Sequence, residues 1–186
     1  IVGYDHVHVL KYLPAIAQHP EAQVVAVAAI GSNKGMAEKA ATEYRCRYFE
    51  SIDSVFSLKN LDAIYVGSTS ARHLEIIREA VQQNIHVLCD KPIATNLYDA
   101  DEIIGLVDKS RIKFMVPFNP RFQLPVIHLK EMIQTDEIGD LLYLTTVKYG
   151  KKPSLIPEMD TSWFFDSGQA GFGGFGDIGI HAIDAV

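Results

Sequence analysis

Cysteine is scarce in this chain of 186 residues: Cys46 and Cys89 are the whole complement, and they stand in unrelated contexts. So few thiols exclude a disulfide scaffold and a zinc site built on cysteine, and they fit a reducing, cytoplasmic compartment. A basic excess is also missing. Seventeen Lys and Arg against 23 Asp and Glu give a net charge of −6. The charges are interspersed, which excludes the basic face that a nucleic acid or an anionic membrane requires. No apolar run reaches the ~20 residues of a membrane span. No charged n-region with a small-residue cleavage site marks a signal peptide. What remains is the composition of a globular protein, 48% hydrophobic and 22% charged, with enough apolar material for a real core. Ile1 has no Met before it and the chain stops inside a patterned segment, "HAIDAV", so a longer protein is expected.

Strand-like and helix-like segments alternate through the first two thirds. Ile1-Val2 reads as a strand tail, and a helix capped by Asp5 runs to about Gln18 with Val9, Leu10, Leu13 and Ile16 on one face. "QVVAVAAI" (23–30) is too apolar for a strand with one wet face and suits a parallel sheet covered on both sides. A helix over 34–44, a short one over 51–56 and a strand at 61–69 follow. Ser70 caps a helix with Leu74, Ile77 and Val81 inside, which Asn84 ends. A strand at 85–89 precedes a helix from about 97 to 110, with Asn96 and Asp99 as cap and partner. "IKFMVPF" (112–118) is a further strand. This alternation predicts βαβ units and a doubly wound parallel sheet. After Phe118 the texture changes to a helix at 125–135 and a more alternating strand at 141–150. A polar loop follows over 151–170, with Tyr149, Lys151 and Lys152 at a solvated strand end. A glycine-rich turn then leads into an apolar helix.

The strand 85–89 ends in "CDKPIATN". Ligands of open parallel sheets sit at the carboxyl ends of strands, and Pro92 holds Lys91 extended and aims its amine. An amine there donates a hydrogen bond to a substrate hydroxyl or shares in its proton transfer. Asp177 and His181 stand four apart, a spacing that puts both on one helix face, where they can grip a polyol and relay a proton. Taken singly, each motif has a plainer reading, as a turn lysine and as a helix-terminal Asp with a half-buried His.

Together, Asp90-Lys91-Pro92 and "GGFGDIGIHAID" (173–184) resemble the Gfo/Idh/MocA oxidoreductases, the glucose–fructose oxidoreductase and inositol dehydrogenase family. That family carries Glu-Lys-Pro after a strand, and later a glycine pair with Asp-x-Gly-x-His-x-x-Asp. "LDAIYVGSTSARHLEIIREAVQQNIHVLCDKP", "FNPRF" and "EIGDLLYL" extend the likeness over nearly the whole chain. The resemblance implies an α/β protein. A Rossmann domain over 1–118 is followed over 119–186 by the start of an α/β domain whose open sheet serves substrate and oligomer contacts. Relatives are longer, so most of the second domain is expected to be absent. A homo-oligomer, dimer or tetramer, is implied.

The implied activity is hydride transfer between nicotinamide and a hydroxyl-bearing carbon of a sugar, cyclitol or related polyol. Lys91 would hold the substrate oxygen, His181 exchange its proton and Asp177 orient both. Asp90 replaces the family's Glu near the cofactor ribose. Thr69, Ser70 and His73 stand where relatives often carry Pro, Asn and His near the nicotinamide ribose, with Gly67 and Ser68 beside them on the cofactor, although His73 reads equally as a residue of the first helical turn. Asn119 and Arg121 open the second domain at the crevice. Arg121 either binds a carboxylate or sugar hydroxyl or pairs with an acid across the joint. Trp163 is expected to wall the substrate pocket, and Cys89 to be a small buried side chain.

Two stretches depart from the family. "GYDHVH" (3–8) occupies the dinucleotide fingerprint and keeps only Gly3; Asp5 and His8 take the other glycine places. Asp5 puts a negative charge near the pyrophosphate, which His6 or His8, if protonated, would offset. No metal is expected at His6-x-His8, because nothing else nearby completes a site. The strand 23–30 ends without the acid of NAD-preferring members. Ser32, Asn33 and Lys34 offer donors instead, which tips the expectation from NAD toward NADP. The damaged fingerprint also admits rival readings, a non-catalytic dinucleotide sensor or co-regulator and a structural relative that binds no nucleotide.

Overall fold

In a computed structural model of the protein, residues 1–147 and 157–185 are described. Five parallel strands are found among them: β1 (Ala26–Ala28), β2 (Arg47–Phe49), β3 (Ala63–Val66), β4 (His86–Cys89) and β5 (Phe114–Met115). β1 pairs with β2, and β3, β4 and β5 pair in that order. Val2 bridges to both Ala28 and Val66 and so joins the two groups. The spatial order is β2-β1-Val2-β3-β4-β5, the doubly wound arrangement. Its helices are α1 (Val9–Gln18), α2 (Lys34–Glu43), α3 (Ile52–Phe56), α4 (His73–Gln82) and α5 (Leu97–Asp108). Beyond them lie α6 (Leu124–Gln134), α7 (Ser167–Ala170) and α8 (Ile180–Asp184).

The apolar runs explain the layering. β1 is buried throughout, as a strand covered on both faces must be. One face packs Ile52, Ile76, Ile77, Val87 and Ile103 into a core. The other packs Val9, Leu13, Val27, Ala37 and Ala41. Two helix boundaries follow their expected chemistry. Asn84 takes φ 57° and ends α4. The Asn96 side chain accepts the Asp99 N–H at 2.9 Å and opens α5.

Several elements differ from expectation. α1 starts at Val9 with His8, not Asp5, at its N-cap position. The N–H groups of Asp5 and His6 both donate to Gly67 O at 2.9 Å, so the neighbouring strand end, not the helix, sets this loop. Leu10 lies outward, 37% exposed. Ser70 begins a 3₁₀ turn over Ser70–Arg72 instead of capping α4. The fully buried face of α4 becomes His73, Ile76, Ile77 and Ala80, with Leu74 and Val81 half-buried. β2 was hidden by its length of three residues and its polar flanks. Residues 141–147 form no strand: Leu142 and Tyr143 are 92% and 83% exposed with no described partner strand. Alternation alone does not hold a strand without a neighbour. The rest of that expected strand, with Tyr149, Lys151 and Lys152, lies outside the described residues. No strand is found among the described residues after Phe118.

Candidate active site

β4 carries Asp90 and Lys91 to the carboxyl edge of the sheet, and the Lys91–Pro92 peptide there is cis. Lys91 is 1% exposed. Its ammonium donates to the Asp177 backbone oxygen at 2.9 Å and to the Asp177 carboxylate. A buried amine is tolerated only when it is paired and hydrogen-bonded, and Asp177 does both. The glycine-rich stretch makes this meeting possible. Gly171, at φ 73°, would place a Cβ 2.8 Å from Thr95 Cα, so only glycine lets this turn lie against the loop after Pro92. A π-helical turn over Phe175–Gly179 then presents Asp177, and α8 carries His181. Such turns recur at functional sites because they re-aim one side chain within a helix. The expectation of a plain helical face is corrected accordingly. Asp177 faces Lys91, while His181, buried, sets its ring edge-on to Phe118 at 6.0 Å.

A second polar cluster lies behind Lys91. Asp90 is wholly buried. Its Oδ2 accepts from the Tyr65 hydroxyl at 2.5 Å, and its Oδ1 accepts from the Lys91 N–H at 2.7 Å. His8 Nδ1 lies 2.9 Å from Oδ1, and His6 Nδ1 lies 3.2 Å from Oδ2. Burial alone would raise the Asp90 carboxyl, but His6, His8 and the Tyr65 hydroxyl outweigh it and hold it below the usual carboxylate range. Burial pushes His6 well down while Asp90 beside it pulls the other way, and burial with Asp90 beside it holds Tyr65 as a phenol. Asp90 thus completes around His6 and His8 the three-residue cluster that neighbours in sequence do not supply.

One side of the crevice is a cavity of about 540 Å³ at the ends of β1 and β3. Of the residues expected to bind the cofactor, Asp5, Ser32, Asn33 and Thr69 line it. Gly3, His6, Lys34, Gly67, Ser68, His73, Asp90 and Lys91 are not among its lining. Gly3 and Gly67 instead permit close strand approach, and His73 is fully buried with Nδ1 3.1 Å from Ile93 O. Trp163, expected to wall the substrate pocket, lines this cavity and donates from Nε1 to Asp5 O at 3.0 Å. Asn119 accepts from the Tyr12 hydroxyl. Arg121 takes the second of its two expected roles, a forked pair with Asp184 (2.8 and 2.9 Å from Nε). Cys89 is buried and its thiol is pushed well up by burial, as befits a packing residue.

Sequence reading missed Tyr65, Arg72, Asp160 and Gln169. Tyr65, a phenol in an aliphatic strand two residues before Gly67, was a legible signal. Asp160 and Gln169 depend on docking of the 157–171 segment, while Arg72 stands in the turn before α4. Asn33 clamps Asp160 by its side chain, accepting from the backbone N–H at 2.8 Å and donating to the carbonyl at 3.0 Å. Thr69 donates to Gln169 at 2.9 Å. The Ser162 N–H at 2.9 Å and the Ser32 hydroxyl hold the Asp160 carboxyl below its ordinary range. Burial pushes Asp5 up to about 6 against the pull of Arg72.

A doubly wound parallel sheet with a nucleotide-sized crevice and a buried Lys–Asp pair at its carboxyl edge defines a dinucleotide-fold protein with a polar site beside the crevice. The family description "Oxidoreductase family, NAD-binding Rossmann fold" matches residues 1–118, and "GFO/IDH/MocA C-terminal domain" matches 126–186. The chain belongs to the GFO/IDH/MocA oxidoreductase family. It is 27% identical over 180 residues to dTDP-3,4-didehydro-2,6-dideoxy-alpha-D-glucose 3-reductase of Saccharopolyspora spinosa, covering 95% of this chain and 51% of that protein. Glucose-6-phosphate 3-dehydrogenase of Bacillus subtilis is 28% identical over 155 residues, with coverage of 83% and 43%. The fold matches myo-inositol 2-dehydrogenase of Lactobacillus plantarum with a TM-score of 0.80 at 22% identity, covering 99% of this chain and 53% of that one. The chain spans about half the length of the relatives it matches. No described helix is long and apolar enough to cross a membrane.

Proposed function

We propose that the protein is an NAD(P)-dependent oxidoreductase acting on a hydroxyl or carbonyl carbon of a sugar, cyclitol or related polyol. The observation that carries this reading is Lys91, a buried amine held by Asp177 where β4 ends. The crevice fits the nucleotide half of the cofactor. It opens at the ends of β1 and β3, and a Cβ built on Gly31 (φ 97°) meets nothing within 4 Å. Asp5, Ser32, Asn33, Thr69 and Arg72 would hold it, with Arg72 the basic group among the described lining residues. When bound, the nicotinamide supplies the hydride acceptor or donor. Lys91 positions the substrate oxygen, Asp177 orients the amine and His181 exchanges the proton. Self-association through the 119–186 region and a cytoplasmic location complete the reading, supported by the exposed Leu142 and Tyr143 and by the free thiols. A monomeric sedimentation coefficient would remove the first of these.

Within this reading the preferred cofactor is NAD, against the expectation from residues 29–34 alone. β1 ends without an acid, but the 157–171 segment delivers Asp160 to the same place, ionised and touching Ser32. A carboxylate there favours a ribose diol and repels a 2′-phosphate. Titration of NADH and NADPH, read by the emission of Trp163, should give NADH the tighter binding by ~10-fold, with Asp160→Ser narrowing the gap. Equal or tighter NADPH binding overturns the preference, and no binding of either overturns the whole reading. The same titration tests Asp5. Below pH 6 its carboxyl is neutral and spares the pyrophosphate a like charge; above pH 6 it is anionic. Affinity should therefore fall as pH rises through about 6, and Asp5→Asn should flatten the profile. An unchanged profile in that variant would place Asp5 away from the phosphates.

A further inference from the structure

The chain departs from its family at the glycine fingerprint, where Asp5 and His8 take glycine places, and at the acidic signature, where Asp90 replaces Glu, and His6 lies between the first two. Although 82 residues separate His8 from Asp90, these departures meet in space. We propose that His6, His8 and Asp90 form a binding site for a divalent transition-metal ion of the zinc type. Their ligand atoms all lie within 4.8 Å of one another.

The geometry suits a cation. Zinc–nitrogen and zinc–oxygen bonds of ~2.0–2.2 Å at tetrahedral angles set neighbouring donors ~3.3 Å apart. His6 Nδ1 lies 3.2 Å from Asp90 Oδ2, and His8 Nδ1 lies 2.9 Å from Oδ1. Two imidazoles with one carboxylate is a donor set that first-row divalent ions accept, leaving a position for water. The hydrogen bonding leaves room for one. His6 Nδ1 faces both the His8 N–H at 3.2 Å and Asp90 Oδ2 at 3.2 Å. A neutral Nδ1 with its lone pair toward Asp90 sets two acceptors face to face, and a cation between them would relieve that repulsion in exchange for the long contact to the His8 N–H.

The surroundings are those of a supported site. The Tyr65 hydroxyl and the Lys91 N–H fix the carboxylate. The far nitrogen of His6, Nε2, has no hydrogen-bond partner among the described residues and lies 4.0 Å from Asp177 Oδ1. That separation is too long for a hydrogen bond, so the kind of outer carboxylate that orients a ligating ring is near at hand but engaged with Lys91. Trp163 and Phe164 wall His6 at ring distances of 5.8 and 5.3 Å and exclude water on that side. His8, 15% exposed, gives the open side.

The proposal does not depend on catalysis or on dinucleotide binding, and its test uses neither. Tag-free protein is stripped with a chelator, dialysed and titrated with zinc against a chromophoric competitor. One equivalent should bind, and His8→Asn should weaken it by at least ~100-fold. Asp90→Asn should do the same where circular dichroism shows it folded. Because a loss variant can fail to fold, His8→Cys supplies a gain of signal: with cobalt(II) it should develop a thiolate-to-cobalt charge-transfer band absent from the parent protein. No saturable zinc binding by the parent, undiminished binding by His8→Asn, or no such band in His8→Cys overturns the site.

Discussion

Lys91→Met lowers kcat by about 10³-fold while leaving the dinucleotide dissociation constant within about twofold. Methionine keeps the length and apolar stem of the side chain, so the volume beneath the site is conserved. What disappears is the ammonium that contacts Asp177 through both backbone oxygen and carboxylate. A substrate oxygen then lacks its donor in the transition state, and a loss confined to that step reduces kcat and kcat/KM together. The fold should survive. The Asp177 side chain is 17% exposed and can turn to water, so its orphaning costs less than the ~3–5 kcal/mol of a fully buried charge. Steady-state kinetics on a responsive polyol, beside cofactor titration and circular dichroism, check this. Normal turnover in a folded variant would remove Lys91 from the chemistry and leave it a structural cation.

The second large effect falls on stability. Gly3 has φ 84°, and a Cβ there would lie 2.5 Å from Ser68 N and 2.6 Å from Ser68 Cα. The obstacle is backbone at the end of β3, and Gly3 is itself pinned through its N–H to Ala28 O at 2.9 Å. Neither side can yield without breaking the central strand contacts. Gly3→Ala should therefore lose about 4 kcal/mol, combining backbone strain with the clash, and its melting midpoint should fall by roughly 10 °C. Gly31→Ala is the control. It shares a positive φ of 97° but meets nothing within 4 Å, so it bears only the backbone strain, ~1–2 kcal/mol. Equal melting points for the two variants would show that the Gly3–Ser68 approach is not a tight contact in solution.

These two residues also mark how far a sequence can be read. Gly3 was legible as the surviving glycine of a fingerprint, but its reason was not. It permits contact with Ser68, 65 positions on, more than any approach of backbone to phosphate. Lys91 was legible because a strand, a charge and a proline stand together. Its partner Asp177 was legible only through the family likeness. Asp5 was misread as a helix cap because its type and position suit one. Its carboxyl takes the Thr69 N–H instead, and the His8 N–H goes to His6 Nδ1. The cofactor expectation was drawn from residues 29–34, and Asp160 was beyond it, since no pattern in a Ser, Pro and Asp loop says where the loop will dock.

Most strands and helices of residues 1–118, the order in which they alternate and the strand end that carries Asp90 and Lys91 were determined by the sequence itself. Apolar period, caps and turn residues act over a few positions, and their energies are local. The tertiary structure decided which polar groups became neighbours: Tyr65 and both histidines around Asp90, Asp160 on Ser32, Asp177 under Lys91. Those meetings depend on several layers packing at once. A buried charge takes whichever partner the finished fold brings within reach, because leaving it unpaired would cost more than any local preference can repay.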